Sequence, residues 1–128
     1  MTNNTIQDFA ELANNIKLSY DRLNSLEGNC SWGYIEFAQG LVGDVGDLTK
    51  LLMAKKKIRS FIGKDLDESI KHEVCDILWS VLVISKKLNI DLQDTFPKFA
   101  QELNSKIQKQ IIKKTSLASA QQVQDDGG

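Results

Sequence analysis

The sequence predicts an all-α fold, a bundle of four helices, and three observations carry that expectation. Apolar residues recur at helical spacing almost throughout and seldom alternate as a strand requires. The 128 residues include a single proline, Pro97, so little interrupts a helix. Two acidic pairs, Asp44-x-x-Asp47 and Glu73-x-x-Asp76, sit inside runs that are otherwise apolar, at a spacing that places both acids of a pair on one side of a helix. With 41% hydrophobic and 26% charged residues, the chain suits one domain with an ordinary core.

Each helix has its own justification. The first, about Ile6 to Leu23, follows Thr5 as N-cap and spaces Ile6, Phe9, Ala13, Ile16, Tyr20 and Leu23 helically; the polar stretch around Gly28 ends it. The second begins after Ser31 and runs to about Ala54, with Phe37, Leu41, Val45, Leu48 and Leu52 on one face. Glu36, Gly40, Asp44 and Asp47 fall on the neighbouring face. The third opens near Asp65, an acidic N-cap three residues before Glu68, and carries the stripe Ile70, Val74, Ile77, Val81, Ile84 and Leu88. Because Leu78, Trp79, Leu82 and Val83 make much of its remaining circumference apolar, one chain is not expected to shield it, and completion by homo-oligomerisation, as a homodimer or homotetramer, is expected. A fourth helix, capped by Asp91 or Thr95, reaches about Lys114. Residues 1–114 would then form the helical domain, and 115–128, lacking apolar periodicity, a disordered or frayed tail.

Composition excludes several classes of function. A formal net charge of −1 gives no basic field to hold nucleic acid. Two cysteines, Cys30 and Cys75, and one histidine, His72, fit neither a disulfide framework nor a Cys/His zinc site. The longest apolar run, 77–84 and interrupted by Ser80, is far below the ~20 residues of a membrane span, and no leader is visible in MTNNTIQDFAEL. A reduced, cytoplasmic setting without a membrane or nucleic-acid partner is the simplest expectation.

Two helices that each carry an acid pair would surround a small space with four carboxylates, a donor set suited to a hard cation such as Mg²⁺. At these residues, LVGDVGDLTKLL (41–52) and EVCDILWSVLVISKKLNIDL (73–92), the chain resembles the MazG-like nucleotide pyrophosphohydrolases of the all-α NTP pyrophosphatase superfamily. Their signature is E-x-x-E on one helix and E-x-x-D on the next. The first pair departs from it, with Asp where the family has Glu. The resemblance implies Asp44, Asp47, Glu73 and Asp76 as metal ligands and catalytic residues, Mg²⁺ as cofactor, and hydrolysis of a (d)NTP to a (d)NMP and pyrophosphate in nucleotide-pool housecleaning; the shorter Asp side chains add Mn²⁺, larger and less strict in geometry, as an expected substitute. The competing expectation is a catalytically weak or inactive helical oligomer that acts as an interaction module.

Other residues have weaker claims. Trp32, at the start of the second helix, is a candidate for stacking on a nucleobase, whereas Trp79 is expected in the core. Lys50, one turn beyond Asp47, and Arg59 in the basic segment 55–59 are candidates for phosphate contact. Lys98, Asn104 and Lys106 are further candidates from the last helix, as the resemblance implies. Glu36 is expected to be a surface acid, His72 dispensable, and Cys75 a small buried apolar residue.

Overall fold

The computed structural model describes residues 5–126; residues 1–4 and the glycines 127 and 128 of the expected tail lie outside the described residues. Four helices and no strand are present among them: α1 (Ile6–Leu26), α2 (Tyr34–Lys55), α3 (Leu66–Lys87) and α4 (Leu92–Asp126). The all-α class and the helix count agree with expectation. The chain divides into two compact units, residues 1–92 with α1–α3 and residues 93–128 with the body of α4.

Local chemistry fixes the helix starts. Thr5 and Asp8 form a reciprocal capping box on α1: the Asp8 N–H donates to Thr5 Oγ1 at 3.1 Å and the Thr5 N–H to Asp8 Oδ2 at 3.2 Å. Asp65 caps α3, accepting from the Glu68 N–H at 3.1 Å. Lys55, in the last turn of α2, bonds Asp67 at 2.5 Å and holds that carboxyl below its usual range, so the loop between α2 and α3 is tied across its base. Helix α2 starts after Gly33, without a side-chain cap and slightly later than the expected start after Ser31.

The first three helices end in one geometry. Gly28, Lys57 and Asn89 each adopt a left-handed conformation, with φ of 74°, 61° and 55°. The next residue then donates back to the carbonyl five positions earlier: Asn29 to Asn24 at 2.7 Å, Ile58 to Met53 at 2.9 Å, Ile90 to Ser85 at 2.8 Å. This is the Schellman arrangement, which satisfies carbonyls that the helix leaves unpaired.

Helix α3 packs against both α1 and α2. Ala13, Phe37, Leu82 and Val83 form the buried centre, with Ile6, Ala10, Trp79, Ile84 and Leu92 around it. Trp79 joins all three helices: its Nε1–H donates to the Ala13 carbonyl at 3.0 Å, and its ring meets Phe37 edge-on at 5.2 Å and Tyr20 at 5.7 Å. A Lys86–Glu11 ion pair adds a surface link between α3 and α1.

Two expectations are corrected. Leu82 and Val83 do not need a second subunit, since α1 and α2 already bury them. The face of α3 that carries residues 79, 82 and 83 turns inward, so the stripe from Ile70 to Leu88 is its flank, and Val74 and Leu88 stay about half exposed. The tail is also corrected: α4 continues through Asp126, beyond Lys114, because SLASAQQVQ is rich in good helix formers and extending an existing helix is easy. In α4, Pro97 falls in the second turn after a start at Leu92, and every side chain from Gln93 to Asp125 is exposed.

The helix ends yield a test. A non-glycine residue in the left-handed region is strained by roughly 1–2 kcal/mol, partly offset by the flexibility glycine adds to the unfolded chain. Lys57→Gly should therefore stabilise the protein by up to about 1 kcal/mol. At Gly28, where an added Cβ meets no neighbouring atom, Gly28→Ala should destabilise by a similar amount through φ alone. Urea denaturation of both variants measures the two signs; a destabilised Lys57→Gly protein would contradict this description of α2's end.

Candidate metal centre

Helices α2 and α3 run antiparallel, since Phe37 meets Trp79 while Asp44, further along α2, approaches Glu73, earlier on α3. That register sets the two acid pairs beside each other. One carboxylate oxygen from each of Asp44, Asp47 and Glu73 lies within 4.8 Å of the other two. Like charges about 5 Å apart repel by roughly 3 kcal/mol at an effective dielectric near 20, so this cluster is costly without a cation.

Two acids of the cluster are shifted upward, by burial first and by this repulsion second. The Asp44 carboxyl is raised above its ordinary value first by burial, then by the charges of Asp76 and Asp47; His72 acts weakly in the opposite sense. Glu73 is raised by burial, then by Asp44, Asp47 and Asp76. Its Oε2 is buried without a hydrogen-bond partner. An all-oxygen donor set with one orphaned buried oxygen fits a hard divalent cation, which would be held by Asp44, Asp47 and Glu73.

The fourth predicted ligand stands slightly apart. Asp76 faces His72, with Nε2 at 3.4 Å, and contributes its charge to Asp44 while lying outside the convergent trio. The i,i+4 spacing of His72 and Asp76 was a legible signal for this pair. Cys75, expected to be buried, is exposed, because it points away from the neighbours that the inward face of α3 meets. Glu36 is exposed, as expected of a surface acid.

Two cavities flank the acids. One, of about 300 Å³, is walled by Tyr20, Trp32, Phe37 and Trp79, with Asp21 and Asn24 as its polar members. Trp32 leans edge-on against Phe37 at 5.4 Å, and its indole lies over Gly40, where an added Cβ would stand 3.1 Å from Cζ3. Any larger residue at position 40 would displace the indole. Asp21 is held by Lys17, whose side chain is almost fully buried. Of this cavity the sequence singled out only Trp32 as a ligand contact; the recurrence of Tyr20 and Asn24 four residues apart was the missed signal. The second cavity, of about 360 Å³, contains both Lys50 and Arg59, with Leu51, Ala54, Ser60, Phe61 and Ile62. Lys98, Asn104 and Lys106 lie exposed on α4.

No family model, curated protein or solved structure matches the chain. No helix among the described residues is long and apolar enough to cross a membrane. What the fold and site define is an all-helical protein with a carboxylate cluster between two antiparallel helices.

The raised carboxyls give a pH dependence of defined sign. Ordinary values are 3.8 for Asp44 and 4.5 for Glu73, and both are higher in the folded chain. Above those values these two groups hold more protons in the folded state than in the unfolded one, so they cost the metal-free protein stability as pH rises from about 4 toward neutrality, against an opposite contribution from the lowered Asp67 carboxyl. In EDTA, removing one of these charges by Glu73→Gln should raise the thermal midpoint at pH 7 relative to the unmodified chain and leave it nearly unchanged at pH 4. Mg²⁺ at a hundred times its dissociation constant should restore about 2.7 kcal/mol to the unmodified chain. An unchanged midpoint of Glu73→Gln at pH 7, or its equal stabilisation by Mg²⁺, would show that these acids do not form the site.

Proposed function

We propose that this protein is a magnesium-dependent nucleoside triphosphate pyrophosphohydrolase, cleaving the α–β phosphoanhydride of a (d)NTP to give a (d)NMP and pyrophosphate. The observation that supports it most is that Phe37 and Trp79, which wall the aromatic cavity, stand on the same two helices as the carboxylate cluster. Phe37 and Asp44 are seven residues apart on α2, two turns or roughly 10.5 Å of rise, on nearly the same face. That separation suits a nucleoside whose base enters the cavity while its phosphates reach the acids.

In this reading Trp32 and the neighbouring rings stack on the base, and Asp21 and Asn24 present hydrogen-bonding groups to its edge. Lys50 and Arg59, in one cavity a turn or more past Asp47, bind the outer phosphates. Asp44, Asp47 and Glu73 hold the cation, and Asp76, oriented by His72, is placed to accept a proton from the attacking water. The bound Mg²⁺, with Mn²⁺ as its substitute, supplies charge neutralisation on phosphate oxygens. The motif resemblance to the MazG-like family supports the same reaction and a housecleaning role in the cytoplasm. Homo-oligomerisation belongs to the proposal as well, since large apolar side chains such as Phe9, Ile16, Leu23 and Val45 remain exposed in one chain.

The deciding experiment incubates the protein with a panel of NTPs and dNTPs plus Mg²⁺ and measures pyrophosphate against orthophosphate. Pyrophosphate with a matching monophosphate is expected. Orthophosphate alone would assign a different phosphatase, and no turnover on any nucleotide would favour a non-catalytic interaction module. Glu73→Gln should lower kcat/KM at least ~100-fold while circular dichroism stays helical. Trp32→Ala should chiefly raise KM, by about tenfold, given that stacking on a base is worth about 1–3 kcal/mol. An unchanged KM in that variant would remove the aromatic cavity from the base-binding role.

A further inference from the structure

We propose that α4 pairs antiparallel with α4 of a second copy of this chain, the two crossing a twofold axis near Leu103; the inference rests on the homo-oligomer reading above and adds to it a contact separate from the exposed apolar residues of α1 and α2. Phe96, Phe99, Leu103 and Ile107 fall within an arc of roughly 80° at 100° per residue, with Ile111 at its edge. All five are exposed, Phe96 to 60% and Phe99 to 55%. A helix with such a stripe draws its stability from a partner more than from propensity.

Area and charge identify the partner as another copy. Two copies bring together ten large apolar side chains, each exposing on the order of 100 Å², which reaches the about 1,000 Å² that a specific interface requires. Gln110 and then Lys114 enter the arc, and beyond them only Leu117 returns a large apolar side chain to it, so the continuous contact is confined to the first two-thirds of the helix. Glu102 and Lys106 share one flank of the stripe with Lys109 and Lys113. Helices related by a twofold axis and running antiparallel bring the same flank of each together, so Glu102 of each copy meets Lys106 of the other. A parallel pair would instead align four lysines, 106, 109, 113 and 114, level with four lysines over barely two and a half turns, whereas antiparallel pairing sets that basic segment against a half that carries Glu102 and an internally neutral Asp94–Lys98 ion pair.

Cross-linking in the full chain tests the register. In a Cys30→Ser/Cys75→Ser background, Leu103→Cys lies at the twofold axis, while Leu117→Cys is about 21 Å further along each helix and roughly 40 Å from its counterpart. The unmodified chain should sediment at twice its 14.3 kDa mass or more at micromolar concentration. Under mild oxidation Leu103→Cys should give a covalent dimer and Leu117→Cys should not. Cross-linking at both positions would show a parallel pair and overturn the proposal. A dimeric mass without cross-linking at position 103 would overturn α4 as the interface and leave the homo-oligomer reading standing; a monomeric mass would remove both. Leu103→Asp should return the mass to that of one chain, and where that variant fails to fold the cysteine pair still decides.

Discussion

Everything in the first ninety residues depends on how the Trp79 indole is held. Its N–H is satisfied by a helix carbonyl of α1, its ring edge meets Phe37 of α2, and Tyr20 closes the other side. A buried indole without a partner for its N–H would be costly, so this one bond selects the rotation of α3 about its axis. Once that rotation is set, Leu82 and Val83 face inward and Glu73 is carried to the edge of the α2–α3 seam. The core and the carboxylate cluster are therefore consequences of one orientation. The aromatic cavity is a third, since the indole forms part of its wall.

The cluster opposes the stability that this packing provides. Burying Asp44 and Glu73 beside further acids raises both carboxyls, and leaves one Glu73 oxygen unpaired where most buried oxygens find a donor. A protein that only needed a stable helix pair would place apolar or paired residues there. The short Asp side chains on α2 nonetheless come within 4.8 Å of Glu73, so the two helices approach closely at this point.

Much of this was legible in the sequence, and the failures have physical causes. Helix number and caps were readable from Thr5, Asp65 and the apolar spacing, because they depend on neighbours within one or two turns. The acid pairs were visible as charges in apolar surroundings. Which face of α3 turns inward was not, since Ile77, Val81, Leu82 and Val83 satisfy almost any rotation and only the long-range bond of Trp79 distinguishes them. For the same reason Cys75 was misplaced, and Tyr20, Asn24 and Phe37 were not recognised as sharing a cavity with Trp32. The extension of α4 past Lys114 was missed because periodicity was sought where propensity alone sufficed.

The link between α2 and α3 bears on the order in which this architecture can assemble. Lys55 and Asp67, which clamp that link, are 12 residues apart, whereas the Trp79 to Ala13 bond joins residues 66 apart. By loop-closure entropy the longer connection costs about 1.5 kcal/mol more to close. The left-handed turn at Lys57 and the cap at Asp65 further restrict the short link before any distant contact exists. The α2–α3 hairpin, which brings Asp44 and Asp47 beside Glu73, thus closes at lower entropic cost than the docking of α1. Charge repulsion within the cluster is accordingly met early in folding, when cations in the surrounding solution can still reach every carboxylate.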